Sequence, residues 1–427
     1  MKKMNDCKDD CSVKLFNVSA VILVMHDSIP SGELLTEWEE NGAHITLVLG
    51  GGLSAKRSTR EIRDLPKKVR VVDIKDEIKR NKVSARIKEA IMHTDAEAKR
   101  TILLTDHPAA VAGGRRKGLY TIIGLTLDKE NLRPFYDEGA NLVIHNPEQL
   151  EIIENSENKT GFIQEIPGLF KNKTSFESRF GKKKPVFFFD YDGTLASIVK
   201  DPEKAYITDT MRNKLADLAK NHRVSVVSGR DKSDIEDFVQ LEEVIYAGSH
   251  GFRITGPDGL YMEQENAEKL LPGLDEMEEE LRIVLEQKIE GVQVERKYFA
   301  IAIHYRNAPP GTYKKIVQEV NRLISDDPDF KKGRGKKILE IKPALDWHKG
   351  KALEWIMNHL DLSFPDESMP VYIGDDVTDE DAFRALADDG IGILVGKHSQ
   401  LSAAKYHLDD VEQVEEFLEF LLNSDRF

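Results

Sequence analysis

Asp190 and Asp192 stand two residues apart, directly after the apolar run Val186–Phe189 and before Gly193. Such a run reads as a strand of a parallel sheet covered on both faces. In open α/β sheets, ligands collect beyond the carboxyl ends of the strands, and Gly193 lets the backbone turn sharply there. Two carboxylates so close concentrate negative charge, which calls for a cation or a proton. Asp-Gly is also a common turn dipeptide, so the pair alone leaves a plain turn open.

Three other places carry chemistry. Ser228-Gly229-Arg230 follows the apolar run Val224–Val227. A hydroxyl there can donate to a phosphate oxygen alongside backbone N–H groups, or serve as an ordinary helix cap. Lys349-Gly350 opens a helix carrying Leu353 and Ile356. A lysine at a helix start opposes the macrodipole, and a phosphate between them resolves the conflict; a solvated surface lysine is the plain alternative. Asp375, Asp376, Asp379 and Glu380 crowd together after the run Val371–Ile373. They suit a hard cation, although a helix N-terminus accounts for Asp379 and Glu380 without one. All four places are strand-to-helix junctions of one α/β unit, so they converge on one sheet edge.

The elements that must position them follow from periodicity. Short apolar runs at Val18–Val24, Ile45–Leu49, Val69–Ile74, Thr101–Thr105, Thr121–Leu125 and Asn141–Ile144 alternate with helical stretches, which predicts a first α/β domain over residues 1–160. Residues 161–184 are polar and read as a linker. A second α/β unit occupies 185–252 and 344–427. Residues 253–343 interrupt it with two amphipathic helices, around Leu274–Leu285 and Ile316–Leu323, and with strands of period two. One face of these strands carries Val292, Val294, Ile301, Ile303, Leu339 and Ile341, which should pack on the helices. The other carries Glu295, Lys297, His304, Arg306, Glu340 and Lys342. The basic run Lys331–Lys337 reads as an exposed hairpin or turn.

At this point the residues resemble the haloacid dehalogenase superfamily of phosphotransferases and, within it, the trehalose-6-phosphate phosphatase family. The resemblance covers about residues 183–427 and includes Ala247–Gly251, Val294–Lys297, His304–Asn307 and Gly374–Phe383. It implies a Rossmann-like core with an inserted α+β cap, preceded by a second α/β domain. It implies hydrolysis of trehalose 6-phosphate, the last step of trehalose biosynthesis, through an aspartyl-phosphate. Asp190 would be the nucleophile and Asp192 the general acid and base. Mg2+ would be held by Asp190, the Asp192 carbonyl and Asp375, with Asp376 and Asp379 orienting the metal site. Ser228 and Lys349 would bind phosphate oxygens. Arg230, His250, Glu295, Lys297, Arg306 and Glu340 would meet the substrate, the cap closing as a lid. Another glycosyl phosphate as substrate, or a non-catalytic phospho-acceptor or sensor, are the competing readings.

Residues 18–150 also look like a haloacid dehalogenase-type fold, but Val24 and His26 align with the two aspartates. An aliphatic side chain cannot attack phosphorus, so this domain is expected to be inactive. The run Gly50–Gly52 reads as a loop. Of the 427 residues, 61 are Lys or Arg and 75 are Asp or Glu, a formal charge of −14. That balance argues against nucleic acid or an anionic membrane as a partner. Cys7 and Cys11 are the sole cysteines; both fall in a polar segment read as an exposed tail, which fits a reducing compartment and a cytoplasmic location. The sequence leaves a monomer and a homodimer equally open.

Overall fold

The computed structural model describes residues 11–427 apart from 17, 26–28, 50–64, 67–68, 74–79, 95–96, 129–130, 154–160, 200, 326, 336, 361–366, 398–399 and 425. Cys7, His26 and the Gly50–Gly52 run therefore lie outside the described residues. No helix among the described residues is long and apolar enough to cross a membrane.

The N-terminal region contains a six-stranded sheet in the order Arg70–Asp73, His44–Leu49, Ala20–Met25, Thr101–Thr105, Thr121–Leu125, Leu142–Ile144. Every pairing in it is parallel. All six residues of Ala20–Met25 are buried, as a central parallel strand covered on both faces requires. A second, three-stranded sheet runs Leu150–Ile153, Ser12–Phe16, Gly161–Glu165. None of these three strands is foreseen in the sequence reading, which puts the third in the linker. Ser12–Phe16 alternates, with Val13 and Leu15 buried, and its partners lie far away in the chain.

The second large sheet has eight strands. Its order is Tyr261–Glu263, Arg253–Thr255, Ile245–Gly248, Val224–Val227, Lys184–Phe189, Ser368–Gly374, Ile391–Val395, Tyr406–Leu408. Val186–Phe189 and all of Ser368–Gly374 are buried. The helix Asp209–Asn221 begins where Thr208 Oγ1 accepts from Met211 N at 3.1 Å, and it buries Met211, Leu215 and Leu218.

The insert forms a four-stranded antiparallel sheet, Gln293–Lys297, Ala300–His304, Ile338–Pro343, Phe330–Gly335. The expected dry face is the observed one: its six apolar residues form one core with Leu274, Met277, Leu281, Ile316 and Val320. The basic run begins within the edge strand Phe330–Gly335, one arm of a hairpin with Ile338–Pro343. The second strand stops at His304, so Arg306 lies in the turn beyond the sheet face and is exposed.

Candidate active site

Asp190 is the first residue past Lys184–Phe189, and only 5% of its surface is exposed. Lys349 opens the helix Lys349–His359 and is equally buried. Its Nζ lies 2.7 Å from Asp190 Oδ1. The cation misplaced against the helix dipole thus has a carboxylate to face. Removing one partner of such a pair strands a buried charge, at a cost of about 3–5 kcal/mol.

Asp192 lies two residues on, where Gly193 has a φ of 85° and its N–H donates to Ala196 O at 2.7 Å. Its carboxylate is partly exposed and receives a forked contact from Arg230: Nε to Oδ2 at 2.7 Å and Nη2 to Oδ1 at 2.6 Å. Ser228, buried at the end of Val224–Val227, accepts from Arg230 N at 3.1 Å. Arg230, expected against the substrate, has its guanidinium on Asp192.

One carboxylate oxygen from each of Asp190, Asp375 and Asp379 lies within 4.8 Å of the others. Asp379 is fully buried, accepting from Tyr372 Oη at 2.7 Å and from Asp376 N at 2.9 Å. The strand end at Gly374 has to be glycine, because a Cβ there would stand 2.3 Å from Asp379 Cγ. An acidic cluster that offers only oxygen fits a hard divalent cation such as Mg2+.

The cap face and the core rim supply further polar groups. Glu295 meets His304 Nε2 at 2.6 Å, and Lys297 meets Glu340 at 3.5 Å. The Glu295 carboxyl is held below the usual carboxylate range, first by the His304 hydrogen bond and in smaller part by Lys297 and Arg230. His250 sits in a left-handed run with Ser249 and Gly251 at φ of 51°, 59° and 90° for Ser249, His250 and Gly251, a strained conformation for the first two. Burial pushes its imidazole well below the ordinary value, with Lys349, Lys342 and Lys297 adding to the effect. The cap docks on the core where Tyr298 N donates to Asp231 Oδ2 at 2.9 Å and where Phe252 and Phe299 pack with ring centroids 5.3 Å apart.

Residues 188–412, more than half of the chain, match the trehalose-phosphatase family. The chain belongs to that family. Trehalose-phosphate phosphatase B of Arabidopsis thaliana is 37% identical over 279 residues, 63% of this chain and 75% of that protein. The trehalose-phosphate phosphatase of Mycobacterium ulcerans is 34% identical over 334 residues, 77% of this chain and 83% of that one. Among solved structures, the C-terminal domain of Candida albicans trehalose-6-phosphate phosphatase aligns with a TM-score of 0.51 at 24% identity. It covers 60% of this chain and 99% of that domain, and it bears on the fold of the core. The trehalose-phosphatase match takes in Asp190, the cap and the acidic loop. Tyr372, Asp231 and the docking ring Phe299 escape the sequence reading of this trehalose-phosphatase. Tyr372 lies inside the apolar run Val371–Ile373, and neither Asp231 nor Phe299 belongs to a motif that the sequence reading singled out.

Proposed function

We propose that the chain is a Mg2+-dependent phosphatase that converts trehalose 6-phosphate to trehalose and phosphate through an aspartyl-phosphate. The observation that carries this reading is the division of labour between two carboxylates. Asp190 is buried and held by Lys349, while Asp192 is partly exposed at the same sheet edge. An oxygen of Asp190 attacks phosphorus and the bond from phosphorus to the sugar oxygen breaks, with the proton for that oxygen coming from Asp192. Asp192 then takes a proton from water as the water oxygen attacks phosphorus. Phosphate leaves and the Asp190 carboxylate is restored. The Ser228 hydroxyl and Lys349 Nζ hold the non-bridging oxygens as charge spreads onto them.

Asp190, the main-chain carbonyl of Asp192 and Asp375 would hold Mg2+, which when bound neutralises charge on the carboxylates and the phosphate. Asp379, with both oxygens engaged, and Asp376, which donates to it, suit orientation of the acidic loop. His250, Glu295, Lys297, Arg306 and Glu340 are the proposed sugar contacts, on a cap that closes over the site and excludes water. The first domain is proposed to be inactive. We place the protein in the cytoplasm, as a monomer or homodimer, with no nucleic acid or membrane partner.

The test is phosphate release from trehalose 6-phosphate and from a panel of glycosyl phosphates, with and without Mg2+, for wild type and Asp190→Asn. Mg2+-dependent release that is fastest for trehalose 6-phosphate and lost in the variant supports the proposal. Faster turnover of another glycosyl phosphate changes the substrate, and a stable aspartyl-phosphate without turnover would identify a sensor.

A further inference from the structure

A carboxyl group that must deliver a proton to one particular oxygen has two free torsions, and a partly exposed one is not oriented by packing alone. Asp192 is such a group. Arg230 takes both of its oxygens in a fork, at 2.7 and 2.6 Å, and so fixes the plane of the carboxylate. Arg230 is fixed in turn. Its guanidinium lies 5.1 Å from the ring centroid of Phe238 and 5.7 Å from that of Tyr191, and its backbone N–H is tied to Ser228 Oγ. Each oxygen has a second position that the fork does not use, and there the proton of the acid form would sit, so the group remains able to face a leaving oxygen. A guanidinium keeps its proton at any working pH and cannot itself serve as the acid.

We infer that Arg230 is a positioning residue, which sets the orientation of Asp192 for proton delivery to the departing sugar oxygen, and not primarily a substrate contact. This rests on the phosphatase reading above. The step it serves is the cleavage of the bond between phosphorus and the sugar oxygen: the bonding pair goes to that oxygen, which takes the Asp192 proton, while Asp190 oxygen bonds to phosphorus. A sugar alkoxide needs that proton in order to leave, whereas a nitrophenolate does not. Loss of orientation should therefore be selective for the leaving group in the first step, which kcat/KM reports, whereas hydrolysis of the aspartyl-phosphate, where Asp192 acts as base, is common to both substrates.

The experiment measures kcat and KM for trehalose 6-phosphate and for para-nitrophenyl phosphate, with Mg2+, in wild type, Arg230→Gln, Arg230→Lys and Phe238→Leu. Arg230→Gln should lower kcat/KM on the sugar phosphate by about 30–100-fold and on the aryl phosphate by less than about threefold. Arg230→Lys, which keeps the charge and loses the fork, should fall between. Phe238→Leu, which only loosens the wall behind the guanidinium, should show the same selectivity at about threefold. Equal losses of kcat/KM on both substrates would overturn the inference, and so would a loss on the sugar phosphate that lies wholly in a raised KM. Failure of wild type to release phosphate from trehalose 6-phosphate would instead sink the underlying reading, which separates the two.

Discussion

In the N-terminal sheet, Ala20–Met25 runs between His44–Leu49 and Thr101–Thr105; in the catalytic sheet, Lys184–Phe189 runs between Val224–Val227 and Ser368–Gly374. The outer strands follow suit, so six strands keep one order in both sheets. The carboxyl edges differ. Thr105 Oγ1 donates to Val24 O at 2.7 Å and accepts from His107 N at 3.1 Å, so this edge satisfies itself. At the matching strand end, the catalytic sheet has Gly374, and the space a side chain would fill is taken by Asp379. Val24 is fully buried in its strand, whereas Asp190 stands one residue beyond its own. The two sheets teach that this strand order is compatible with either edge. Small residues and carboxylates at the strand ends, and not the scaffold, make one of them chemically capable.

The most severe way to break the comparison is Asp190→Asn. Phosphate release should fall by at least about 1,000-fold, as expected when a covalent nucleophile is lost. Mg2+-dependent turnover surviving well above that level would mean that a second centre works, and the contrast between the edges would collapse. A paired substitution sharpens it. Gly374→Ala pushes a Cβ into Asp379 and should cost about 1–3 kcal/mol of stability along with activity at any Mg2+ concentration. Thr105→Val leaves the Val24 carbonyl without its hydroxyl donor and should cost about 1–2 kcal/mol with kcat unchanged. Thermal melts beside phosphate-release assays read both; an activity loss in Thr105→Val would contradict the self-satisfied edge.

These differences were unequally legible in the sequence. The strands of both large sheets show as apolar runs because burial on both faces erases alternation, and Asp190, Asp192 and Asp375 show because charge at such a strand end is conspicuous. The small sheet does not show. Its strand Ser12–Phe16 pairs with Leu150–Ile153 and Gly161–Glu165, more than a hundred residues away, and only the alternation of Val13 and Leu15 hints at it. Nor is the fork between Arg230 and Asp192 written in any spacing, since the two lie 38 residues apart and meet through side-chain geometry. The dry face of the cap was readable from period two alone, while the placement of Arg306 was not, because the strand ends two residues early.

A smaller contrast concerns the residue before the last strand of each sheet. Asn141 donates its N–H to Ile122 O and accepts from Ile122 N through its side chain at 2.8 Å. Lys405 likewise gives its N–H to Gly392 O, but carries an amine that donates to Gly390 O at 2.9 Å. Burial, with Arg179 adding, pushes that amine down to about 8 from 10.5. The folded value lies below the unfolded one, so the charged form is disfavoured in the native state. Below about pH 8 the full cost is present, and it disappears as the pH rises from about 8 to 10.5. Lys405→Met should raise stability at pH 7 by on the order of 1–3 kcal/mol and flatten this part of the denaturation profile. A profile unchanged by the substitution would show that the amine is solvated and that the two positions are equivalent.

The least disruptive test concerns Asp388, which follows the acidic loop and its helix Glu380–Ala385. Its Oδ1 accepts from Leu132 N at 2.7 Å and from Arg133 N at 3.3 Å, capping the helix Arg133–Asp137 of the N-terminal region. This cap ties a region with no proposed chemistry to the segment that carries Asp375 and Asp379. If the N-terminal region acts only as scaffold, Asp388→Ala should cost about 1 kcal/mol, as for loss of any helix cap, and lower the melting temperature by about 2–4 °C. Asp388→Asn should recover most of that, because asparagine caps as well as aspartate. Half-saturation by Mg2+ should move by less than about twofold, since about 0.4 kcal/mol is all such a shift requires. A large change in Mg2+ demand with an unchanged melting temperature would mean that the N-terminal region sets the geometry of the acidic loop. The two sheets would then be parts of one device and not a working copy beside a silent one.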